Sequence, residues 1–501
     1  MNYKKLIGVL MTGMLLGMAG QAVSAEDNIL YAARNFAYST LDAHDGDESW
    51  MIQGYGVVES LFKMADDMTV QPWLAESAEL DGNVWTIKLK DGVTFSNGNP
   101  MTADIVIKNL QRSAEKNAGK AILGEFTYNV VDDLTFTVES ETPYPTLPNL
   151  LAQPGNGIID VDSIQDFDTE TIGTGPFVIE DFVPAGDVTV TKNENYWGGD
   201  VKLDGAVIYY MPDADSELMA MQNGELDCYD SVTSDAIEIF EQDPDTYDLV
   251  TIPATRVQFY LLNENRLDAN MRDAINYVVD SDEIAGFLGG AVTPTAGPFN
   301  EVAAYGKAEK QGVDTEKAKS LIEEAGYTLN ADGMYEKDGE SLSLKICYYD
   351  ARMLGDIALV MQDELSKIGV ASELVCEEDP DATYMSTGDF DIALYCCVAD
   401  MGGDPEYFLD SVVSDGAFYG IGGFEDEECK TLLAQLKQEA DPEVRAELGN
   451  QMVQKIIDDD AMGFVALFNK TTVLRKGVSG FAETSPFDFY GIDANTEKVT
   501  E

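Results

Sequence analysis

Short segments in which apolar and polar residues alternate dominate the first half of the chain. Trp85, Ile87 and Leu89 alternate with Thr86 and Lys88 ahead of an Asp-Gly turn. Period-two alternation bounded by Gly, Asp and Asn is typical of half-buried strands, so this half is predicted to be rich in strands. One helix is predicted to begin at Thr102, since apolar residues follow it at helical spacing. Similar alternation occurs at Leu134–Val138, Val188–Val190 and Val207–Met211.

The second half alternates predicted strands with longer amphipathic helices. Phe390–Val398 is a nearly continuous apolar run, as expected for a strand buried on both faces. Asp441-Pro442 predicts a helix start, with Asp as the cap and Pro in the first turn. Strand–helix–strand alternation implies a parallel sheet, so we predict an α/β fold whose two unlike halves form two lobes. The other predicted elements are helices at Asn270–Tyr277, Ala318–Ala325 and Leu354–Ile368 and a strand at Leu342–Tyr348.

The composition is that of a large folded protein with a strong acidic excess. The chain has 501 residues, of which 45% are hydrophobic, and 31 Lys and Arg against 91 Asp and Glu give a formal net charge of −60 at pH 7. Such a chain is too apolar to be a disordered acidic polymer, and its length predicts roughly two to four domains. The charge argues against nucleic acid and against anionic lipid as partners, because both bind through clustered cations.

The first 25 residues have the features of a secretory signal peptide. Lys4 and Lys5 precede the apolar stretch Leu6–Ala19, and Val23-Ser24-Ala25 forms a small-residue cleavage site. An uncleaved anchor is the alternative, but the apolar stretch is shorter than the ~20 residues that a membrane span needs. No Cys lies near the cleavage site, so we expect an exported, periplasmic or extracellular protein that is soluble after cleavage and is not a lipoprotein.

The inventory of reactive residues argues against an enzyme. His44 is the only histidine, and the chain contains no Walker A, G-x-S-x-G, H-E-x-x-H or G-x-G-x-x-G motif. A hydrolase with paired carboxylates stays open, although no spacing singles out one pair. The acidic runs Glu425–Glu428 and Asp458–Asp460 are typical of solvated helix faces rather than of Ca²⁺ loops. We therefore predict neither a catalytic residue nor a resident metal or cofactor.

The six cysteines are predicted to be buried free thiols. None forms a C-x-x-C pair, and Cys347 and Cys396 lie in apolar, strand-like segments. A buried free Cys packs as a small apolar residue. Because the protein is predicted to be exported, disulfides are the alternative.

Several sequence blocks occur in the order found in one protein family. From about Leu30 to about Val473 the chain resembles the family 5 extracellular solute-binding proteins, the peptide- and nickel-type receptors of ABC importers. It departs from the family pattern in having one acid at Asp104-Ile105 where two are usual, and Ala43 where a Pro is usual. The matching blocks are Glu59–Phe62, Val70–Ser77, Trp85–Asp104, Ile172–Phe177, Asn193–Gly199, Leu226-Asp227, Asn263, Arg272–Tyr277 and Lys317–Tyr327.

The resemblance implies a two-lobed fold of the type II periplasmic-binding-protein class, with an extra subdomain in the first lobe. It also implies a monomer that captures a ligand between lobes that close over it and delivers it to an ABC permease and ATPase. The crossovers between lobes are placed near Gln258–Leu262 and Val465–Asn469. The predicted bounds are 1–25 for the signal peptide, 26–258 for lobe 1 with the extra subdomain at about 60–175, 259–465 for lobe 2, and 466–501 for the return to lobe 1.

A short peptide is the first ligand that the resemblance implies. Peptide-binding members hold the amino terminus with an Asp after a strand, and Asp400 matches it, with one extra residue before Asp404-Pro405. The alternative is that Asp400 only caps its loop. Arg352 follows a predicted strand at the sheet edge where α/β proteins bind ligands, and Arg256 and Arg34 lie beside the first hinge strand and after the first strand. Each arginine is a candidate partner of a ligand carboxylate, and surface ion pairing is the alternative.

A nickel–chelator complex is the second ligand that the resemblance implies. Nickel-type members grip the chelate with arginines and line the cleft with a His and a Met. His44 and Met51 are the candidates here, each with a structural alternative as a loop His and a helix Met. The segment around Pro154 lacks the Arg that nickel receptors have there, which favours the peptide.

Overall fold

The computed structural model describes residues 28–46 and 48–499. The predicted signal peptide lies outside these residues. Within them, no helix is both long enough and apolar enough to cross a membrane.

The secondary structure follows the predicted change from a strand-rich first half to alternating strands and helices. The strands are β1 (Ile29–Arg34), β2 (Phe62–Met64), β3 (Val70–Pro72), β4 (Ala75–Asp81), β5 (Val84–Leu89), β6 (Thr127–Asp132), β7 (Thr135–Glu139), β8 (Phe177–Phe182), β9 (Val188–Lys192), β10 (Gly205–Tyr210), β11 (Cys228–Tyr229), β12 (Tyr247–Leu262), β13 (Val292–Pro294), β14 (Thr328–Leu329), β15 (Tyr335–Lys337), β16 (Glu340–Ser341), β17 (Ser343–Tyr348), β18 (Ala371–Cys376), β19 (Ile392–Val398), β20 (Met462–Arg475), β21 (Val478–Ser479) and β22 (Glu497–Lys498).

Thirteen α-helices lie between these strands in the described part of the chain, with short 3₁₀ turns at Ala118–Glu125 and Tyr419–Gly422. They are α1 (Glu48–Gly54), α2 (Ala103–Lys116), α3 (Leu147–Ala152), α4 (Ala214–Asn223), α5 (Ser234–Glu241), α6 (Ala269–Asn276), α7 (Ser281–Phe287), α8 (Thr315–Glu324), α9 (Leu354–Lys367), α10 (Tyr384–Thr387), α11 (Glu406–Val413), α12 (Glu427–Leu436) and α13 (Pro442–Asp458).

One mixed sheet of eleven strands runs through the described residues, in the order β18-β17-β19-β12-β20-β11-β1-β10-β9-β8, with β13 paired to β20. We call β1 and β8–β11 the first half-sheet and β17–β19 the second half-sheet. The long antiparallel strands β12 and β20 join them, pairing from Tyr247↔Arg475 to Leu261↔Met462. Strands β1, β10 and β11 are parallel to one another, as are β17, β18 and β19. The predicted α/β class and parallel pairing are therefore confirmed.

A separate antiparallel sheet, β4-β5-β7-β6, lies within the predicted extra subdomain. Helix α2 covers it, because Val106 and Leu110 are fully buried against Ile87 and Phe136 in one core. Thr102 caps this helix, its hydroxyl accepting from the backbone N–H of Ile105. The alternating pattern and the helix start predicted for this region are both confirmed.

The cysteines match the predicted free thiols, with one difference in burial. All six are free, and Cys347 and Cys396 are buried as predicted. Cys376 is exposed, because it ends β18, the edge strand of the large sheet.

The Glu59 carboxylate is buried and anchors two of the sequence blocks. Its Oε1 accepts from the indole N–H of Trp73 at 2.8 Å and the hydroxyl of Tyr196 at 3.1 Å. Its Oε2 accepts from the indole N–H of Trp197 at 2.8 Å and the hydroxyl of Thr174 at 2.9 Å. Burial raises the pKa of Glu59, and these four donors act in the opposite direction. The anchor thus ties the start of the extra subdomain to the first lobe.

We expect Glu59→Ala to lower the free energy of unfolding by about 3–5 kcal/mol, the range for removing one partner of a buried charged network. Two indole N–H groups and two hydroxyls would be left without their acceptor. The exposed Glu79 on β4 provides the control, since Glu79→Ala should change stability by less than about 0.5 kcal/mol. Urea unfolding measures both, and equal midpoints would show that the anchor contributes nothing.

Candidate functional site

The carboxyl edges of the two half-sheets meet beside the long strands. Arg34 is the last residue of β1, and on the other side Arg256 pairs with Val398, the last residue of β19. Strand β1 runs parallel to β12 and β19 runs antiparallel to it, so the carboxyl ends of the two half-sheets point towards each other along the long strands and border one cleft. Asp488, in the segment after β20, lies within electrostatic reach of both Arg34 and Arg256. The carboxyl edge of an open α/β sheet is where such folds bind ligands.

Arg256 and Arg352 are the cations that the second half-sheet presents to this cleft. Both act electrostatically on the Tyr349 hydroxyl and the Cys396 thiol, and Arg256 is within hydrogen-bonding reach of that thiol. Arg352 is exposed and Arg256 is partly exposed. Neither forms an ion pair with an acid in the described part of the chain. Their guanidinium groups are therefore available to an anion from outside.

The backbone that carries Arg352 is strained. Arg352 and Met353 have φ of 58° and 59°, in the left-handed region that residues other than glycine rarely adopt. The side-chain amide of the fully buried Gln258 donates to the carbonyl of Arg352 at 2.6 Å and holds this turn. Strained conformations of this kind cost about 1–3 kcal/mol each and are concentrated at functional sites.

Aromatic rings border the cleft on both sides. In the second lobe, Tyr395 packs edge-to-face on Tyr349 at 5.5 Å and on Phe418 at 5.6 Å between ring centroids. From the first lobe, Trp50 packs edge-to-face on Phe489 at 5.5 Å. These rings provide flat apolar contact surface beside the cations.

Arg34 and Met51, both predicted ligand contacts, lie together behind the cleft surface. Arg34 is 3% exposed, and its Nη1 is 3.6 Å from Asp230 Oδ2 and 3.8 Å from Met51 Sδ. Its Nη2 is buried and has no hydrogen-bond partner among the described residues. Met51 is 2% exposed. Arg34 thus contributes positive charge to the cleft, whereas its side chain is enclosed.

His44 is fully buried and uses both ring nitrogens within the protein. Its Nε2 lies 2.9 Å from the carbonyl of Gly157 and its Nδ1 lies 2.8 Å from Nη1 of Arg112. Arg112 also forms a two-pronged ion pair with Asp42 at 2.6 Å. Burial lowers the pKa of His44 to about 4, so the ring is neutral, donating to Gly157 and accepting from Arg112. His44 was predicted to line the cleft of a nickel-chelate receptor, and in this geometry it is enclosed and has no free ring nitrogen.

Asp400 is also enclosed rather than open to the cleft. Its side chain is 1% exposed, and its carboxylate accepts hydrogen bonds from Tyr305 and from the backbone N–H groups of Gly402 and Gly403. Burial raises its pKa to about 6, against the effect of these donors. The predicted capping alternative describes this geometry.

Two charged residues of the cleft were not predicted from the sequence. Lys470 on β20 donates to the carbonyl groups of Ala482 and Ser485 at 2.7 and 3.2 Å. Asp488 is open to solvent, yet the surrounding protein raises its pKa, while Arg256, Lys470 and Arg34 act to lower it. The aromatic stretch around Asp488, after the last long strand, was the signal in the sequence that could have identified this segment.

A cavity of about 610 Å³ lies between the lobes, beside Trp50 and Met401. Asn149 and Gln153 line it from the extra subdomain, and Tyr407 lines it from the second lobe. Its volume is that of a site for a small molecule.

The chain matches known proteins along most of its length. The model of bacterial extracellular solute-binding proteins, family 5 middle, matches residues 69–420. The nickel-binding protein NikA of Staphylococcus aureus is 24% identical over 445 residues, which cover 88% of this chain and 89% of that protein. The glutathione-binding protein GsiB of Escherichia coli is 24% identical over 372 residues, covering 69% and 70%.

Solved structures show the same fold. The nickel ABC transporter protein of Bacillus halodurans superposes with a TM-score of 0.86 at 28% identity, covering 94% of this chain and 100% of that one. The unliganded open form of the murein tripeptide-binding protein MppA gives a TM-score of 0.81 at 19% identity, covering 95% and 98%. The predicted two-lobed fold is confirmed, and the chain belongs to the family 5 extracellular solute-binding proteins of ABC importers.

Proposed function

We propose that this receptor captures a small solute that bears carboxylate groups and delivers it to an ABC permease and ATPase. The observation that carries the proposal is the pair Arg256 and Arg352, two cleft cations that form no ion pair in the described part of a chain of net charge −60. Of the eight arginines in that part, five are in ion pairs with acids and Arg475 donates to backbone carbonyl groups, which leaves Arg256 and Arg352 for a ligand. The predicted lobe bounds, 26–258, 259–465 and 466–501, remain part of this proposal.

Guanidinium groups suit this task because they match a carboxylate with two parallel hydrogen bonds. The acidic surface repels an anion at a distance, but salt screens that repulsion beyond a Debye length of about 8 Å. Inside the cleft Arg256, Lys470 and Arg34 lie within electrostatic reach of Asp488 and favour negative charge there.

A short peptide and a metal chelate both satisfy this chemistry. Relatives and structural neighbours are named for nickel, for glutathione and for a murein tripeptide. For a peptide, Asp488 is the accessible acid beside the cations that can meet the amino terminus, since Asp400 is enclosed. For a metal, the chelator has to supply the nitrogen ligands, because both nitrogens of His44 are engaged.

We expect Arg256→Gln and Arg352→Gln each to weaken binding by about 1.5–3 kcal/mol, the range for a hydrogen bond to a charged group. Titration calorimetry on protein freed of co-purified solute, with glutathione, a tripeptide and nickel–histidine as probes, measures the loss. Arg266→Gln is the matched control, because Arg266 already pairs with Asp389 and Asp391 at 2.8 Å. If a probe binds all three variants as it binds the wild type, that probe is not held by the cleft arginines.

The single histidine gives a direct test of the role of His44. Its folded pKa of about 4 lies below the ordinary 6.5, so the unfolded chain takes up the proton first and stability falls as the pH drops from 6.5 towards 4. Proton NMR of untagged protein should show one imidazole signal that does not titrate above about pH 5. Nickel–histidine binding should be the same in His44→Gln. An imidazole titration midpoint near pH 6.5, or loss of nickel–histidine binding in His44→Gln, would place His44 at the ligand.

A further inference from the structure

We propose that residues 400–405 of the second lobe form a latch that grips the extra subdomain and holds the lobes closed, with Asp400 as the positioning residue of that latch. The proposal rests on the proposed function, in which the lobes close over a solute. It assigns to Asp400 a role in closure instead of contact with the ligand.

Asp400 shapes the latch from within the second lobe. One carboxylate oxygen accepts from the backbone N–H groups of Gly402 and Gly403 at 2.9 and 2.6 Å, and the other accepts from the Tyr305 hydroxyl. Behind the turn, Arg445 grips Asp404 with two hydrogen bonds of 2.7 Å. The turn is therefore rigid relative to its own lobe.

Asn149, on α3 of the extra subdomain, holds the same two peptide groups from the opposite side. Its Nδ2 donates to the carbonyl of Gly402 at 2.8 Å and to that of Gly403 at 3.1 Å. The N–H groups of this turn thus bind Asp400, and its carbonyl groups bind the other lobe. Losing the Asp400 carboxylate would let the turn rotate and would misalign both acceptors.

The close approach requires glycine at 403, where a Cβ would lie 2.4 Å from both Cε of Met64 and the carbonyl oxygen of Met68. A Cβ on Gly402 would lie 2.6 Å from Nε2 of Gln153, the movable end of a side chain. All three of these neighbours belong to the extra subdomain. These contacts exist only while the lobes are together, so a side chain at Gly403 obstructs the closed arrangement.

The latch is a narrow contact with space on both sides. The cavity of about 610 Å³ lies on one side, and another of about 360 Å³, lined by Met68 and Tyr305, lies on the other. The latch also follows β19 directly, and Val398 at the end of that strand pairs with Arg256. A ligand bound at Arg256 and the closed latch are therefore both supported by the same end of β19.

The decisive variant is Asn149→Ala, which removes both donors and touches neither cleft arginine. With whichever of nickel–histidine or glutathione compacts the wild type, we expect small-angle scattering of the saturated variant to show a larger radius of gyration than the saturated wild type. Stopped-flow dissociation of nickel–histidine or glutathione should be about tenfold faster, as expected for two lost hydrogen bonds. Asn83→Ala is the matched control, since Asn83 donates to Ser140 inside the subdomain.

Asp400 is tested by comparing two substitutions. Asp400→Asn keeps an oxygen that accepts from the two glycine N–H groups, so we expect scattering and dissociation close to wild type. Asp400→Ala should open the lobes. If Asp400→Asn abolishes binding as fully as Asp400→Ala, Asp400 contacts the ligand and the latch assignment is wrong.

If Asn149→Ala saturated with the probe that compacts the wild type has the radius of gyration of saturated wild type, the latch assignment is wrong, even if Asp400→Ala fails to fold. Failure of the proposed function would appear instead as unchanged affinity in Arg256→Gln and Arg352→Gln.

Discussion

The pairing of β12 with β20 is the constraint on which the rest of the structure depends. These strands of 16 and 14 residues join the two half-sheets into one hydrogen-bonded sheet. Their register shifts between Pro253 and Val257 and again after Gln258. A bulge bends a strand and redirects its side chains. Here the irregular stretch contains Arg256 and ends at Gln258, the residue that holds the strained turn at Arg352. Joining the lobes and shaping the cleft are therefore achieved by the same few residues.

The polar residues of the sequence blocks act mainly as internal anchors. Glu59 gathers four donors, and His44 lies between Gly157 and the Arg112–Asp42 ion pair. A buried polar group is costly unless its hydrogen bonds are satisfied, and a satisfied one specifies a single arrangement of the segments around it. Such residues fix the segments of the first lobe relative to one another. Ligand binding is left to cleft side chains, such as Arg256 and Arg352, that form no ion pair within the described part of the chain.

Charge has opposite roles at the surface and in the cleft. The acidic excess keeps the protein soluble, and most described lysines and arginines lie beside acids. Around Asp488 cations are concentrated among acids, because Arg34, Arg256 and Lys470 all act on this one carboxylate while Asp230 and Glu483 also act on Lys470. Cations gathered at one place in an acidic protein attract anionic groups at short range and add little attraction at long range.

The sequence by itself determined the elements, the fold class and the family. Alternation at Trp85–Leu89, the continuous apolar run at Phe390–Val398 and the Asp-Pro start of α13 are local patterns, set by burial on one face, burial on both faces and helix capping respectively. Arg352 was located from the end of a predicted strand, and Arg256 from the hinge strand that the family resemblance implies. Tertiary structure alone decided that His44, Met51 and Asp400 are enclosed, and that Lys470 and Asp488 reach the cleft. Burial and hydrogen-bond partners depend on residues more than a hundred positions away, as with His44 and Gly157, and no local pattern encodes them.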